Sequence, residues 1–385
     1  MPPLLAKSAS IAFILVATCV RCDTSSPAAI FELNGARLKA AARAAGDYLI
    51  RMQKHDGSFH YYYNAAADRF EPRRYNIVRH AGTAVSLFDL YRATRDVRFL
   101  GGARRAVTFL TSRFHRARTA NAAYVLDYDG KAKLGSNGLA LVALASQIEL
   151  DAKSARPQNA ARLANLILAM QHRDGSFKMR YRIGDSEPQG IDSLYYPGEA
   201  ILGLVRLYRS NPDKRLLEGA RRGANFLIES QQRMSALPPD AWLMQALEAL
   251  YNIGHERRYA DHAIALAEAM IAAQYTGEDP AGYAGGFGPG SPRATPAASR
   301  AEGLVSAYRI ARSLGDRRAQ TIAASLRACA TFQLSQQFTA VNSKTLRNPR
   351  RAAGGFREGL TSFKVRIDFV QHNISSLLGI AEALY

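Results

Sequence analysis

Three kinds of side chain gather at the starts of apolar helical stretches in this 385-residue chain, and each suits a different chemistry. The first is a set of carboxylates: Asp127, Asp129, Asp192, Glu199, Asp240 and Asp368. Two carboxyl groups can cleave a glycosidic bond, at ~5–5.5 Å separation for retention or ~6.5–9.5 Å for inversion. The sequence does not say which two pair. Glu199 follows Tyr195-Tyr196-Pro197-Gly198, where proline suits the first helical position, so Glu199 is either a first-turn capping acid or a catalytic carboxylate. Capping is the commoner use of a glutamate there.

The second set is His80 and His372, each near the start of an apolar helix. There the helix dipole disfavours imidazolium and keeps a neutral base available; capping or core histidines are the plainer reading. The third set can bind or neutralise a substrate. Arg79, Arg366 and Asn137 can hold a carboxylate while His80, His372 or Tyr196 moves a proton. Tyr75, Tyr195, Trp242, Arg300, Glu302 and Gln371 complete the substrate-binding set, the tyrosines suited to stacking on sugar faces. Asp127-Tyr128-Asp129-Gly130 looks like the start of a calcium loop, but the twelfth position is Gly138 rather than glutamate, which excludes it. No phosphate loop and no metal-ligand spacing occurs, so no cofactor is expected.

Positioning these groups requires a particular arrangement of helices. Six amphipathic segments, Leu38–Gln53, Ala103–Arg116, Gln158–Gln171, Leu216–Gln232, Arg258–Gln274 and Arg317–Gln333, carry apolar residues at three- and four-residue spacing with charges between them. Each is followed by an irregular connection and a drier helix: Gly82–Tyr91, Asn137–Leu150, Gly198–Tyr208, Ala241–Tyr251, Ala301–Arg312 and Gln371–Leu384. Leu139 to Ala145 has no charge, so that helix is buried all round. Six wet helices alternating with six dry ones predict a double ring, all-α, with the dry set inside. Short links such as Asn211-Pro212-Asp213 join inner to next outer helix, so all long loops fall at one end, with the candidate residues around its mouth.

Met52-Gln53-Lys54-His55-Asp56-Gly57-Ser58-Phe59 and Met170-Gln171-His172-Arg173-Asp174-Gly175-Ser176-Phe177 resemble the Gln-x-x-Asp-Gly-Ser-aromatic repeats of (α/α)6 toroids, found in terpenoid cyclases and six-hairpin glycosidase-like proteins. Worn versions run from Gln274 through Gly285-Gly286-Phe287 and from Gln333 through Gly354-Gly355-Phe356. The turns read as structural: glycine takes the left-handed position, Asp56 and Asp174 bond the turn backbone, and phenylalanine plugs the ring. The resemblance spans nearly the whole chain after residue 35. It implies a carbohydrate-active enzyme, a glycoside hydrolase first and a uronate lyase or epimerase second, with a non-catalytic glycan binder as the third reading. A terpenoid cyclase is disfavoured by the absence of Asp-x-Asp-Asp and by a single tryptophan. Prenyltransferases and lanthionine cyclases, toroids whose zinc sites use Cys and His, are excluded by the cysteine count below.

Residues 1–22, with Lys7 ahead of the apolar run Ile11–Ala17, read as a signal peptide and 23–35 as a linker, leaving 36–385 as a single toroid domain in the periplasm or at the cell surface. Leu15 to Cys19 resembles a lipoprotein signal, with Thr18 where a smaller residue is usual, so a lipid anchor on Cys19 or Cys22 is one form of the expectation. No later segment is long and apolar enough to span a membrane. Removing the leader takes Lys7 and Arg21 from the formal charge of +19, giving 19 − 2 = +17. An acidic polysaccharide is therefore a plausible partner, whereas the dispersed arginines argue against nucleic acid. Cys329 alone remains of three cysteines, inside an apolar run, where it reads as a small core residue. Oligomeric state is not legible.

Overall fold

Asparagine and aspartate caps start many of the helices. Asn34 Oδ1 accepts the Arg37 amide at 2.9 Å and opens α1 (Gly35–Met52), and Asn76, Asp96, Asp213 and Asp240 open later helices in the same way. The computed structural model describes residues 33–119, 121–184 and 193–385. The expected signal peptide, Cys19, Cys22, most of the linker and Asp192 lie outside the described residues.

The expected double ring is present. The outer helices are α1, α3 (Val97–Thr111), α5 (Pro157–Ala169), α7 (Lys214–Gln232), α9 (Arg257–Ala272) and α11 (Arg318–Ser335). The inner helices are α2 (Ile77–Thr94), α4 (Leu134–Leu150), α6 (Tyr196–Ser210), α8 (Ala241–Gly254), α10 (Ala294–Ser313) and α13 (Ile367–Leu384). A one-turn helix, α12 (Pro349–Ala352), sits in the last long loop. Each inner helix packs on its two inner neighbours, and α13 packs on α2 to close the ring. No helix among the described residues is long and apolar enough to cross a membrane.

Small residues set the spacing of the inner ring. A Cβ on Gly138 of α4 would press on the backbone of Glu199 and Ala200 in α6, and one on Gly198 would press on Trp242 and Leu243 in α8. Every residue of α4 from Leu134 to Gln147 is buried, as the uncharged Leu139–Ala145 run requires.

The glutamine-to-glycine turns are sutures between outer helices. Gln53 Nε2 donates to Gly57 O at 3.3 Å in its own turn and to Gly102 O of α3 at 2.9 Å. Gln171 does the same to Gly175 O and Gly219 O of α7, Gln274 to Gly285 O and Ser325 O of α11, and Gln337 to Gly354 O and Ala41 O of α1. The sixth repeat therefore uses Gln337, not Gln333. The four glycines adopt φ of 83–97°, and a Cβ on Gly57 would overlap the carbonyl oxygen of Arg105. Asp56 and Asp174 accept from the amide and hydroxyl of the following serine, and Phe59 is fully buried, the structural role read from the sequence.

Several boundaries differ from the sequence reading: α2, α4 and α13 begin three to five residues before the expected starts, and larger differences occur at α3 and α10. Helix α3 begins at Val97, capped by Asp96, and residues 114–116 turn into strand β3 instead of prolonging it. Helix α10 begins at Ala294, seven residues early, because Pro296 in the first turn needs no amide partner there. The long loops also contain short strands: β1 (Tyr62–Asn64), β2 (Arg69–Phe70) and β7 (Lys364–Arg366) form one antiparallel sheet, β3 (Phe114–Arg116) pairs with β4 (Ala123–Val125), and β5 (Ala132–Lys133) with β6 (Arg180–Tyr181). The pairing of β1 with β7 joins the first and last long loops and delivers Arg366 to the start of α13.

Candidate active site

A cavity of about 570 Å³ opens on the ring axis at the end where the inner helices begin, the end assigned from loop lengths. All six inner helices contribute a wall residue. Of the residues singled out in the sequence, Arg79, Tyr195, Glu199, Trp242, Arg300, Arg366, Asp368, Gln371 and His372 line it.

His372 is one half of a pair. Its Nδ1 lies 3.1 Å from Glu302 Oε1 and 3.2 Å from Oε2, and the Trp242 ring centroid is 5.9 Å from the imidazole. Glu302 sits behind the histidine, at 8% exposure, and faces a second cavity of about 400 Å³ near the other ends of the inner helices. Burial pushes the imidazole towards neutrality, but the Glu302 charge more than reverses this, so His372 titrates above the usual histidine value. With Nδ1–H given to Glu302, the neutral ring presents its Nε2 lone pair to the cavity.

Asp368 is clamped. Arg366 Nη2 donates to Oδ2 at 2.8 Å, and Arg79 Nε donates to the same oxygen at 3.2 Å while its Nη1 reaches the Tyr61 hydroxyl at 2.7 Å. Glu199 is the opposite case. It is 3% exposed, and its Oε2 has no hydrogen-bond partner among the described residues. Burial, reinforced by nearby Asp240, lifts its carboxyl well above the usual value and so favours the protonated acid.

Several expected site residues turn away from the cavity and hold the scaffold instead. His80 is fully buried: its Nε2–H donates to Ala106 O of α3 at 2.8 Å, and Nδ1 accepts from the Tyr75 hydroxyl, which itself accepts the Phe59 amide. Burial lowers His80 to about 4, leaving it neutral but out of reach of a ligand. Asp127 accepts the Ile77 and Tyr128 amides and, with Asp129, binds Lys133 at 2.8 and 2.6 Å. Asn137 ties Val125 to the Lys133 carbonyl. Tyr196 lies against Gly135, outside the cavity lining. Asp240 caps α8 through the Leu243 amide and accepts from Gln231, whose Oε1 faces His262 Nε2 at 2.9 Å.

The sequence reading missed Arg293, Phe287 and Glu358, which also line the cavity. Pro296 is the signal for Arg293, since it marks the true start of α10; Phe287 reads from the sequence only as a ring plug. No group of three potential metal ligands occurs among the described residues. Cys329 is a buried core thiol, as expected, raised to about 12 by burial.

The fold is that of the (α/α)6 toroids. Cellobiose 2-epimerase from Bacillus thermoamylovorans B4167 superposes with a TM-score of 0.69 at 11% identity, covering 90% of this chain and 98% of that one. A D-mannose isomerase gives 0.68 at 12% identity, with 91% and 98% covered. The GH76A α-1,6-mannanase from Salegentibacter sp. HEL1_6 gives 0.63 at 14% identity, with 90% and 100% covered. No protein-family model and no curated protein matches the chain.

Proposed function

We propose that the protein is a carbohydrate-active enzyme that moves a proton at a sugar carbon beside a carbonyl or carboxyl group, an epimerase or isomerase rather than the hydrolase ranked first from sequence. The observation carrying this reading is the His372–Glu302 pair in the wall of the axial cavity. Nε2 of His372 takes the proton from carbon, and the electron pair left behind spreads onto the adjacent carbonyl oxygen. Arg79 and Arg366 supply positive charge for that oxygen, and Glu199, whose carboxyl burial disposes to hold a proton, is a source of a returning proton on another wall. Return of a proton to the opposite face gives the epimer, and return to the neighbouring carbon gives the isomer.

Hydrolysis is less well supported. Glu199 suits a general acid, but Asp368, the other wall carboxylate singled out in the sequence, has both oxygens occupied by guanidinium groups, which leaves Glu358 as the remaining carboxylate on the wall. The inactive mannanase variants replace two adjacent aspartates, and this sequence has no adjacent aspartates anywhere. The epimerase and isomerase neighbours in the same fold add support by analogy.

The test is exchange in heavy water. Reducing sugars and sugar acids are incubated with the protein and read by proton NMR for loss of a ring or C2 proton signal, beside a reducing-end assay. Deuterium uptake lost in His372→Gln supports the reading, while new reducing ends without uptake overturn it.

A further inference from the structure

Four arginines line the axial cavity, Arg79, Arg293, Arg300 and Arg366, against three carboxyl groups, Asp368, Glu358 and Glu199, the last of which burial disposes to hold its proton. The excess of positive charge is not evenly placed. Arg79 and Arg366 share Asp368, whereas neither Arg300 nor Arg293 has a carboxylate within ion-pair distance among the described residues. Elsewhere the chain supplies such partners readily, as in Arg104 with Asp151 and Arg318 with Asp316.

Arg300 is the more telling of the two. It is part-buried, and its guanidinium carbon sits over the Phe287 ring, 5.1 Å from the centroid. A guanidinium withdrawn from water without a counter-charge costs free energy that a buried ion pair would recover. Arg293 is the extended N-cap residue of α10, seven residues before Arg300 and about 10 Å nearer the rim. The two therefore form a positive track from the rim into the cavity.

We propose that the substrate is a sugar acid whose carboxylate is held by Arg300, with Arg293 drawing the anion in from the rim. The assignment deepens the proton-transfer reading by naming its substrate class. A bidentate guanidinium–carboxylate contact supplies the missing counter-charge and selects acidic over neutral sugars.

Binding tests this separately from catalysis. D-Glucuronate and D-galacturonate are titrated against D-glucose, D-galactose and acetate at fixed ionic strength, using the His372→Gln protein so that no turnover intervenes. The expected result is at least about tenfold tighter binding of the uronates than of the neutral sugars and of acetate. That preference is expected to disappear in Arg300→Gln, to persist weakened in Arg300→Lys, and to be unchanged in Arg209→Gln, which lies at the second cavity. Equal binding of neutral and acidic sugars, acetate binding as well as uronate, no binding of any uronate, or an unchanged preference in Arg300→Gln overturns the assignment. Selective uronate binding without deuterium uptake by the unmodified protein leaves the anion site standing and overturns the proton-transfer reading alone.

Discussion

His372 and Glu302 stand back to back between two cavities, the imidazole facing the axial mouth and the carboxylate facing the far chamber, 3.1 Å apart. The carboxylate can therefore set the charge of the base without competing for the ligand. Replacing Glu302 by Gln removes the charge that lifts His372 and leaves burial to lower it. A histidine base works when neutral, so activity rises as pH passes its titration point. The expected outcome is an acid limb displaced to lower pH and turnover reduced by about 10²–10⁴-fold. The same pair makes a stability contribution present below about pH 6.5 and lost as pH rises through the raised His372 value. Thermal melts from pH 5 to 9 should show a smaller decay in the variant than in the parent, the part due to Asp240 remaining in both.

Asp368→Asn separates a clamp from a nucleophile. If the residue only holds Arg79 and Arg366, deuterium exchange should survive within about tenfold, at a cost of about 1–3 kcal/mol in stability from two arginines left adjacent. Complete loss of activity with an unchanged melting profile would instead restore the carboxylate-pair chemistry.

Asp240 makes a pH prediction for stability of the same sign, over its own titration range. Its carboxyl is fully buried and raised to about 7 by that burial, so the folded chain holds a proton that the unfolded chain releases near 3.8. Stability from this group is full below the lower value and declines as pH rises towards 7. Asp240→Asn keeps the cap on α8 and removes the titration, so urea midpoints should fall less between pH 4 and 8 in the variant than in the parent.

The sutures predict two unequal glycine substitutions. Gly175→Ala meets both φ of 97° and the carbonyl oxygen of Arg222, and should cost more than about 2 kcal/mol. Gly315→Ala has φ of 66° in open space and should cost about 1 kcal/mol. Equal denaturation midpoints for the two would mean that the Gln171 turn does not lock α5 to α7.

The ring was legible because its two helix populations differ in charge and because the turn motif repeats. Which side chains share the cavity was not. Consecutive residues on a helix point about 100° apart, so Arg79 faces the axis while His80 faces α3. Asp127 and Asp129 look catalytic in a loop until Lys133, on the next strand, is seen to consume both. The partner of His372 lies seventy residues away on α10, a distance that no local pattern bridges.

Gly35 at the start of α1 lies against Tyr385 at the end of α13, and the Gln337 turn binds α1 as the earlier turns bind their own neighbours. The order of hairpins is thus cyclic, and the point where the polypeptide is opened is arbitrary as far as the packing is concerned. Both of these ends sit at the face opposite the cavity. A chain rejoined there and cut instead at the short Asn211-Pro212-Asp213 link should rebuild the same cavity from a rotated gene.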